Sequence, residues 1–489
     1  MLSVIFVALF LLLMICIGIW GMKKTTTLQD YFIGGRSIGP FISALAFGTS
    51  YFSAVLFIGF AGKLGWAFGL DVLWIAFGNA LFGSMLAWLV LGHRTRVMTH
   101  NLNAITMPEY FESRFGSPNI KIVAALIIFI FLLPYSASVY KGLGHLFEIN
   151  FNISYNTALI VMTLITGIYL VLGGYFAVTL TDFIQGLIML VGSIAMVAVL
   201  VGKGGGLVTV LDTVQQNYAL HIPPDKQPGW VLLASLVFMT SFGTWGLPQM
   251  VQKFYSIKNE KVIRTAAIVT TIFALVVVVS AYFSGSLSHI FFSNDTIPMI
   301  DGKPAFDRFI PELLKSNLPE ALMALILLLV LSASMSTLAS LVLVSSSSVA
   351  IDIYQKHSLS EEHHRRTLVM MRVLSAVFVL LSLVLALYPL GIIIVLMSLS
   401  WGTVAGSFMA PYIYGLYWKR TTKAGVWAGM ATGLSLAIGL FFYLGPAKSP
   451  IASTVAMIVP FAVVPLVSIF TSPPEKDVLE KAFKNIKNG

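Results

Sequence analysis

Long apolar runs recur along the whole 489-residue chain. A bilayer core about 30 Å thick needs roughly 20 apolar residues for each helical crossing, and many of these runs reach that length. Because no water is present at that depth to satisfy the backbone, the runs are predicted to be α-helices. The pattern predicts 13 spans, near residues 2–21, 41–62, 70–92, 120–147, 155–172, 184–202, 229–252, 265–288, 318–349, 368–387, 391–416, 424–444 and 451–471.

Composition agrees with a chain that lies in lipid. Of its residues 57% are hydrophobic and 10% are charged, whereas about a quarter of an average soluble domain is charged. The predicted fold class is therefore an all-α, multi-pass membrane protein of the inner or plasma membrane. We expect a single membrane domain over 1–489, with membrane lipid as its surroundings and a cytoplasmic tail at 473–489.

The basic residues behind the net charge of +10 are distributed unevenly among the loops. The loops that alternate between spans carry 22 of the 30 basic residues on one side of the membrane and eight on the other. The positive-inside rule makes the richer side cytoplasmic, so the amino terminus is predicted outside and the carboxyl terminus inside. The basic charge is thus a topology signal, and no nucleic-acid partner is expected. The eight residues of the poorer set are Lys63, Lys141, Lys203, Lys226, Lys303, Arg308, Lys315 and Lys448.

The polar stretches between spans contain no Cys/His cluster, no phosphate-binding glycine loop and no nucleophile elbow. An enzyme is therefore not expected. The first apolar segment, Leu2 to Trp20, has no basic residue before it and no cleavage site, so it is interpreted as a retained helix and not as a signal peptide. Its Cys16 is the single cysteine of the chain, which excludes an intramolecular disulfide.

Two spans are interrupted in the same manner. The second carries Gly48-Thr49-Ser50-Tyr51-Phe52-Ser53, and the seventh carries Thr240 to Pro248 with two glycines. They head two five-helix blocks, 41–202 and 229–416. Transporters built from inverted repeats place their broken helices in this way and bind substrate and ions where the helices unwind. The alternative is that the glycines and serines only permit close helix packing.

Three segments resemble the sodium:solute symporter family. They are the stretch Asp30 to Pro40, the sequence Gly173-Gly174-Tyr175 followed by Thr181-Asp182, and Met335-Ser336-Thr337-Leu338. The similarity runs from about residue 20 to 420 in matching order, and the proline and pantothenate branches are the most similar. The resemblance implies a leucine-transporter-like fold. It would have one extra amino-terminal helix (2–21), two inverted five-helix repeats (41–202 and 229–416) and two trailing helices (424–471).

The resemblance also implies a sodium ion between the second and ninth spans. The positions that match are Thr49, Phe52, Ala333, Ser336 and Thr337, which offer backbone carbonyls and hydroxyls. The chemistry is reasonable for sodium, because an unwound helix frees carbonyl oxygens that have no intrahelical donor. Ser332, Ser336 and Ser340 also form one polar stripe, for which helix packing is the alternative explanation.

Asp182 matches an acidic position of the family. A carboxylate at the inner end of its span could guide sodium toward the cytoplasm, because ionisable residues near membrane depth are functional candidates. It could equally cap a helix that begins near Phe183, since Asp is a favoured N-cap residue. Both interpretations are left open by the sequence.

The solute is expected to contact the two interrupted segments, through Tyr51, Ser53, Thr240, Thr244, Trp245 and Gln249. A small amino acid such as proline or a carboxylate such as pantothenate is favoured, because an unwound helix exposes amide donors to an anionic group. Tyr51 stands where proline symporters carry Asp and pantothenate symporters carry Tyr, which weakens an assignment to proline. Lys141 is explained either by snorkelling to the interface or by attraction of an anionic solute.

The function predicted is sodium-coupled symport of a small organic solute by alternating access, with sodium as the bound ion. Three alternatives stay open from the residues alone. The chain could be an ion or solute channel, a transporter-like sensor, or a transporter coupled to protons instead of sodium.

Overall fold

The computed structural model of the chain describes residues 2–24, 32, 34–172, 175–354, 361–388 and 391–486, and they are almost entirely helical. The α-helices are α1 Leu2–Lys24, α2 Pro40–Tyr51, α3 Ala61–Phe68, α4 Leu73–Gly78, α5 Ala87–Leu102, α6 Met107–Phe115, α7 Pro118–Phe151, α8 Tyr155–Leu172, α9 Tyr175–Lys203, α10 Leu207–His221, α11 Trp230–Phe242, α12 Pro248–Tyr255, α13 Lys261–Ser286, α14 Ser288–Phe291, α15 Phe306–Asn317, α16 Glu320–Val349, α17 Glu361–Leu387, α18 Ile393–Tyr417, α19 Lys423–Leu444, α20 Ser449–Ile458, α21 Pro460–Ile469 and α22 Lys476–Ala482.

Shorter elements connect these helices. The π-helical turns are Val55–Phe60, Asn79–Leu86 and Ala350–Tyr354, and the 3₁₀ turns are Gly34–Arg36, Gly69–Val72, Pro224–Lys226, Gly243–Trp245 and Pro446–Lys448. A two-stranded antiparallel hairpin of β1 Met299–Ile300 and β2 Lys303–Pro304 lies between α14 and α15.

Helices occupy every one of the apolar runs in the described ranges, which confirms the all-α membrane class. Within the described residues, ten helical stretches are long and apolar enough to cross a membrane, or 11 if the bent pair formed by Trp230–Trp245 and Pro248–Tyr255 is one span. The second and third predicted spans share the long stretch Val55–Leu102, in which Gly69 has a φ of +55° and marks the turn between them. The number 13 stays a prediction, because it depends on how such stretches are divided.

Both predicted helix interruptions are present. Helix α2 ends at Tyr51, and Phe52 then has extended backbone angles, φ −111° and ψ 121°, before the π-helical turn begins at Val55. The other break lies between α11 and α12, whose axes differ by 42°. Pro248 begins α12, where its missing N–H costs nothing.

Helix α16 lies at the centre of the molecule. It is buried over nearly all of Met323 to Ser348, and it packs against α7, α9 and the first broken helix. The part of that broken helix that follows the break, α3, lies so close to α13 that a Cβ added at Gly285 would be 1.9 Å from the Ala61 carbonyl oxygen. Backbone contact of this kind needs a residue without a side chain, and it fixes α3 against α13.

Parts of the motifs that carried the resemblance lie outside the described residues, namely Asp30, Tyr31, Ile33, Gly173 and Gly174. The division of the chain into repeats at 41–202 and 229–416 stays a prediction. So does the orientation of the two termini.

The predicted orientation can be measured with two single cysteines in a Cys16→Ser background. Asn294 and Lys484 are both exposed and are predicted to lie on opposite sides of the membrane. In intact cells an impermeant thiol reagent is expected to label Asn294→Cys and to label Lys484→Cys only after permeabilisation. Labelling of both cysteines in intact cells would contradict the topology.

Candidate functional site

The first helix break faces a row of hydroxyl groups on α16. Ser334 Oγ accepts a hydrogen bond from the Ala54 backbone N–H at 3.2 Å, just after the break. Ser340 Oγ lies 2.9 Å from Ser50 Oγ, just before it. Of the predicted stripe, Ser336 and Ser340 contact residues of α2 just before the break, whereas the Ser332 hydroxyl has no hydrogen-bond partner in the described ranges.

The predicted sodium ligands converge at the same place. Thr337 Oγ1 lies 3.3 Å from the Thr49 carbonyl oxygen and 3.1 Å from the Ala333 carbonyl oxygen. Ser336 Oγ lies 2.8 Å from Thr49 Oγ1. Phe52, the fifth predicted ligand, follows the last residue of α2, where carbonyl oxygens lose their helical partners. Neutral oxygens gathered in this way can coordinate a hard monovalent cation.

A buried ion pair borders this cluster. Asp182 Oδ1 accepts a hydrogen bond from Ser336 Oγ at 2.6 Å, and Asp182 Oδ2 lies 3.3 Å from Lys253 Nζ. The Asp182 side chain is fully buried and that of Lys253 is 2% exposed. Two opposite charges removed from water stabilise each other only while both are present.

The ion pair corrects two expectations. Helix α9 begins at Tyr175, so Asp182 lies inside the helix and does not cap one that begins near Phe183. Lys253, which the loop pattern placed among the cytoplasmic charges, is buried on α12 beside Asp182.

A second feature, here named the central cavity, lies between the two helix breaks. Its volume is about 20 Å³, which is room for about one water-sized group. The helices around the cavity must therefore move apart before an organic solute can enter. The lining residues are Tyr51, Phe52, Ser53, Val55, Leu56, Phe60, Asn79, Tyr135, Thr240, Tyr282, Met397 and Trp401.

Three of the six residues predicted to contact the solute line this cavity, namely Tyr51, Ser53 and Thr240. The Tyr51 hydroxyl donates a hydrogen bond to the Thr240 carbonyl oxygen, which joins the two breaks directly. The Tyr51 ring stacks on Phe52 at 4.1 Å and on Trp401 at 6.2 Å between ring centroids.

The structure places the other three predicted residues elsewhere. Thr244 Oγ1 donates to the Gly83 carbonyl oxygen, and Trp245 Nε1 donates to the Phe82 carbonyl oxygen. Gln249 is buried, and its amide has no hydrogen-bond partner in the described ranges. Thr244 and Trp245 belong to the 3₁₀ turn Gly243–Trp245 and Gln249 belongs to α12, and none of the three lines the cavity.

Sequence reasoning also missed residues that line the cavity. Asn79 Oδ1 accepts hydrogen bonds from the hydroxyls of Thr240 and Ser241, at 2.8 and 3.2 Å. Trp401 on α18 contacts Tyr135 at 5.8 Å between ring centroids. A polar Asn within an apolar span was a visible signal, whereas nothing in the sequence around Trp401 distinguishes it from a packing residue.

The amide donors expected at the first break are already engaged. The Ala54 N–H donates to Ser334 Oγ and the Val55 N–H donates to Ser53 Oγ. A carboxylate would therefore need other donors. The Nζ of Lys141 donates to the Gly391 carbonyl oxygen at 2.6 Å.

Comparison with known proteins agrees with this arrangement. The sequence profile of the sodium:solute symporter family matches residues 31–433. The sodium/proline symporter of Staphylococcus aureus (strain JH9) is 32% identical over 449 residues, which cover 90% of this chain and 86% of the relative.

Solved structures show the same fold at low sequence identity. A Na⁺-coupled sialic acid symporter superposes with a TM-score of 0.79 at 18% identity, over 97% of this chain and 99% of that one. Mhp1, a nucleobase-cation-symport-1 family transporter, superposes with a TM-score of 0.55 at 14% identity, over 94% and 98%. Because the family profile and the relative both cover most of the chain, the protein belongs to the sodium:solute symporter family and is a sodium-coupled solute symporter.

Proposed function

We propose that the chain takes up a small zwitterionic amino acid of the proline class together with sodium. The observation that carries the proposal is the position of Phe52. Its ring lines the central cavity, while its backbone belongs to the group of atoms predicted to bind sodium. A change in that backbone on sodium binding would move a wall of the solute site, which supplies the coupling between the two.

The lining of the central cavity supports a solute without net charge. Within the described ranges, none of its lining side chains is acidic, basic or histidine. A buried anion without a cationic partner is costly, whereas the two charges of a zwitterion partly compensate each other. The hydroxyls of Tyr135 and Tyr282 and the indole N–H of Trp401 offer donors for a carboxylate.

The apolar part of the solute has a matching surface. Leu56, Phe60 and Met397 line the same cavity as the polar groups. A compact aliphatic ring could pack there and exclude water, as small-molecule sites with few convergent polar groups do. The Staphylococcus aureus relative is a sodium/proline symporter, which agrees with this class of solute.

Sodium would be held by Thr49, Phe52, Ala333, Ser336 and Thr337, as a transported ion and not as a resident cofactor. Asp182 would add a negative charge next to that shell through Ser336. A carboxylate there also makes proton coupling the alternative to be tested, because a buried Asp can carry a proton.

The test is uptake of labelled proline by proteoliposomes under an inward sodium gradient, an inward proton gradient, or neither. Accumulation is expected with the sodium gradient alone, and unlabelled proline should compete better than pantothenate or sialic acid. Uptake driven only by the proton gradient would overturn sodium coupling. Pantothenate as the better competitor would overturn the amino-acid class, and passive equilibration with no exchange would point to a channel.

Replacing Trp401 with Phe is expected to weaken solute binding. The substitution removes one indole N–H and part of a ring that lines the central cavity, at a cost of about 0.5–1.5 kcal/mol, or roughly three- to tenfold in the KM for proline. Trp245→Phe is the matched control, because Trp245 donates to Phe82 and does not line the cavity. An equal rise in KM for both variants would contradict the assignment of the cavity.

A further inference from the structure

A second small cavity lies at the end of α16 that is predicted to face the cytoplasm. This inner cavity has a volume of about 10 Å³, close to the space of a single water molecule. Its polar lining consists of Asp352, Thr106, Gln252, Tyr255, Ser347 and Ser348. It shares no lining residue with the central cavity.

Asp352 is the chemically distinctive member of this lining. The residue is 5% exposed, and its Oδ1 accepts a hydrogen bond from Thr106 Oγ1 at 2.6 Å. Its Oδ2 has no hydrogen-bond partner in the described ranges, and Asp352 forms none of the ion pairs found there. A buried carboxylate oxygen without a partner is costly unless a cation or a donor approaches it.

One lysine lies near three acidic side chains here. Lys121 attracts Asp352 electrostatically, but its Nζ is paired with Glu112 Oε2 at 3.0 Å. Glu109, the third acid, accepts a hydrogen bond from the Ile105 backbone N–H at 2.9 Å. Because three acids share one lysine, the surroundings of Asp352 can accommodate a further cation.

The position of the inner cavity relates it to the candidate sodium site. Asp352 lies about 24 Å beyond Ser336 on the same helical stretch, at about 1.5 Å per residue. Helix α12 separates the two places: Lys253 pairs with Asp182 beside Ser336, and the adjacent Gln252 lines the inner cavity. An ion released from Ser336 toward the cytoplasm would thus meet Asp352 next.

We propose that Asp352, with the oxygens of Thr106, Ser347 and Ser348, forms a second, inner binding site for a monovalent cation, on the cytoplasmic release path of sodium. A single carboxylate among neutral oxygens suits a monovalent ion, whereas a divalent ion usually has more carboxylates. The proposal rests on the sodium coupling proposed above. It adds a site that none of the sequence motifs indicated.

The test is saturation binding of radiolabelled sodium to the purified protein, without any solute. In a Ser336→Ala/Thr337→Ala background, saturable sodium binding is expected to persist at the inner site. Adding Asp352→Asn to that background should abolish it or raise the half-saturating sodium concentration at least about tenfold. Asp477→Asn, which changes an exposed acid on α22, is the control and should leave it unchanged.

A second variant keeps the test decisive if Asp352→Asn does not fold. Ser347→Ala/Ser348→Ala retains the carboxylate and removes two hydroxyls from the inner cavity, and it should also weaken the residual binding. If the Ser336→Ala/Thr337→Ala variant binds no sodium, or if neither further substitution weakens its sodium binding, the inner site is refuted and the cavity holds only water. Absence of sodium binding by the unmodified protein would instead overturn sodium coupling and, with it, the inner site.

Discussion

Replacement of both Ser336 and Thr337 by alanine is expected to raise the sodium concentration for half-maximal uptake at least about tenfold, the equivalent of ~1.4 kcal/mol. Thr337 Oγ1 lies within 3.3 Å of the carbonyl oxygens of Thr49, Ser50 and Ala333, and Ser336 Oγ lies 2.8 Å from Thr49 Oγ1. Removing both hydroxyls leaves the carbonyls without the rest of the shell. The measurement is the initial rate of proline uptake against external sodium.

Ser332→Ala is the control for that prediction. Ser332 is on the same helix and is equally buried, but its hydroxyl has no hydrogen-bond partner in the described part of the chain. Its removal should leave the sodium dependence unchanged. A double variant with the sodium dependence of the unmodified protein would refute the proposed sodium shell.

Asp182→Asn is expected to abolish most sodium-dependent uptake and also to destabilise the protein. The substitution removes the charge that contacts Ser336 and leaves Lys253 buried without its carboxylate. Loss of one partner of a buried ion pair typically costs about 3–5 kcal/mol, because the remaining charge is uncompensated. Thermal unfolding in detergent and the uptake rate measure the two effects separately.

The double variant Asp182→Asn/Lys253→Met separates the two roles of Asp182. It removes both charges, so most of the lost thermal stability should return, whereas sodium-dependent uptake should stay low. Recovery of uptake in the double variant would show that the pair is only structural. Removing the partly exposed pair of Arg308 and Glu312, which lies 3.1 Å apart, should change stability by no more than about 1 kcal/mol.

Of the site residues predicted from the sequence, the candidate sodium ligands are the ones that the structure brings together most completely. Thr49, Ser336 and Thr337 belong to short local motifs, and residues of such a motif can be matched to a family position by position. Asp182 was recognised in the same way, but its partner was not. Lys253 is 71 residues away from Asp182 along the chain, and no periodicity connects two residues on different helices.

Only half of the residues predicted to contact the solute line the central cavity, for a geometric reason. The sequence shows where a helix is interrupted, because glycine, proline and hydroxyl residues accumulate there. It does not show how far the break rotates the side chains that follow. Thr240 therefore lines the central cavity, while Thr244 and Trp245 turn toward Gly83 and Phe82.

The sequence by itself determined the membrane class, the positions of the helices and the two breaks. Lipid leaves the backbone no partner outside its own helix, so apolar length alone is enough to predict each span. Only the tertiary structure decided which side chains meet between helices. The pairing of Asp182 with Lys253, the contribution of Trp401 to the central cavity and the burial of Asp352 beside Thr106 all depend on how helices distant in sequence rotate and pack against one another.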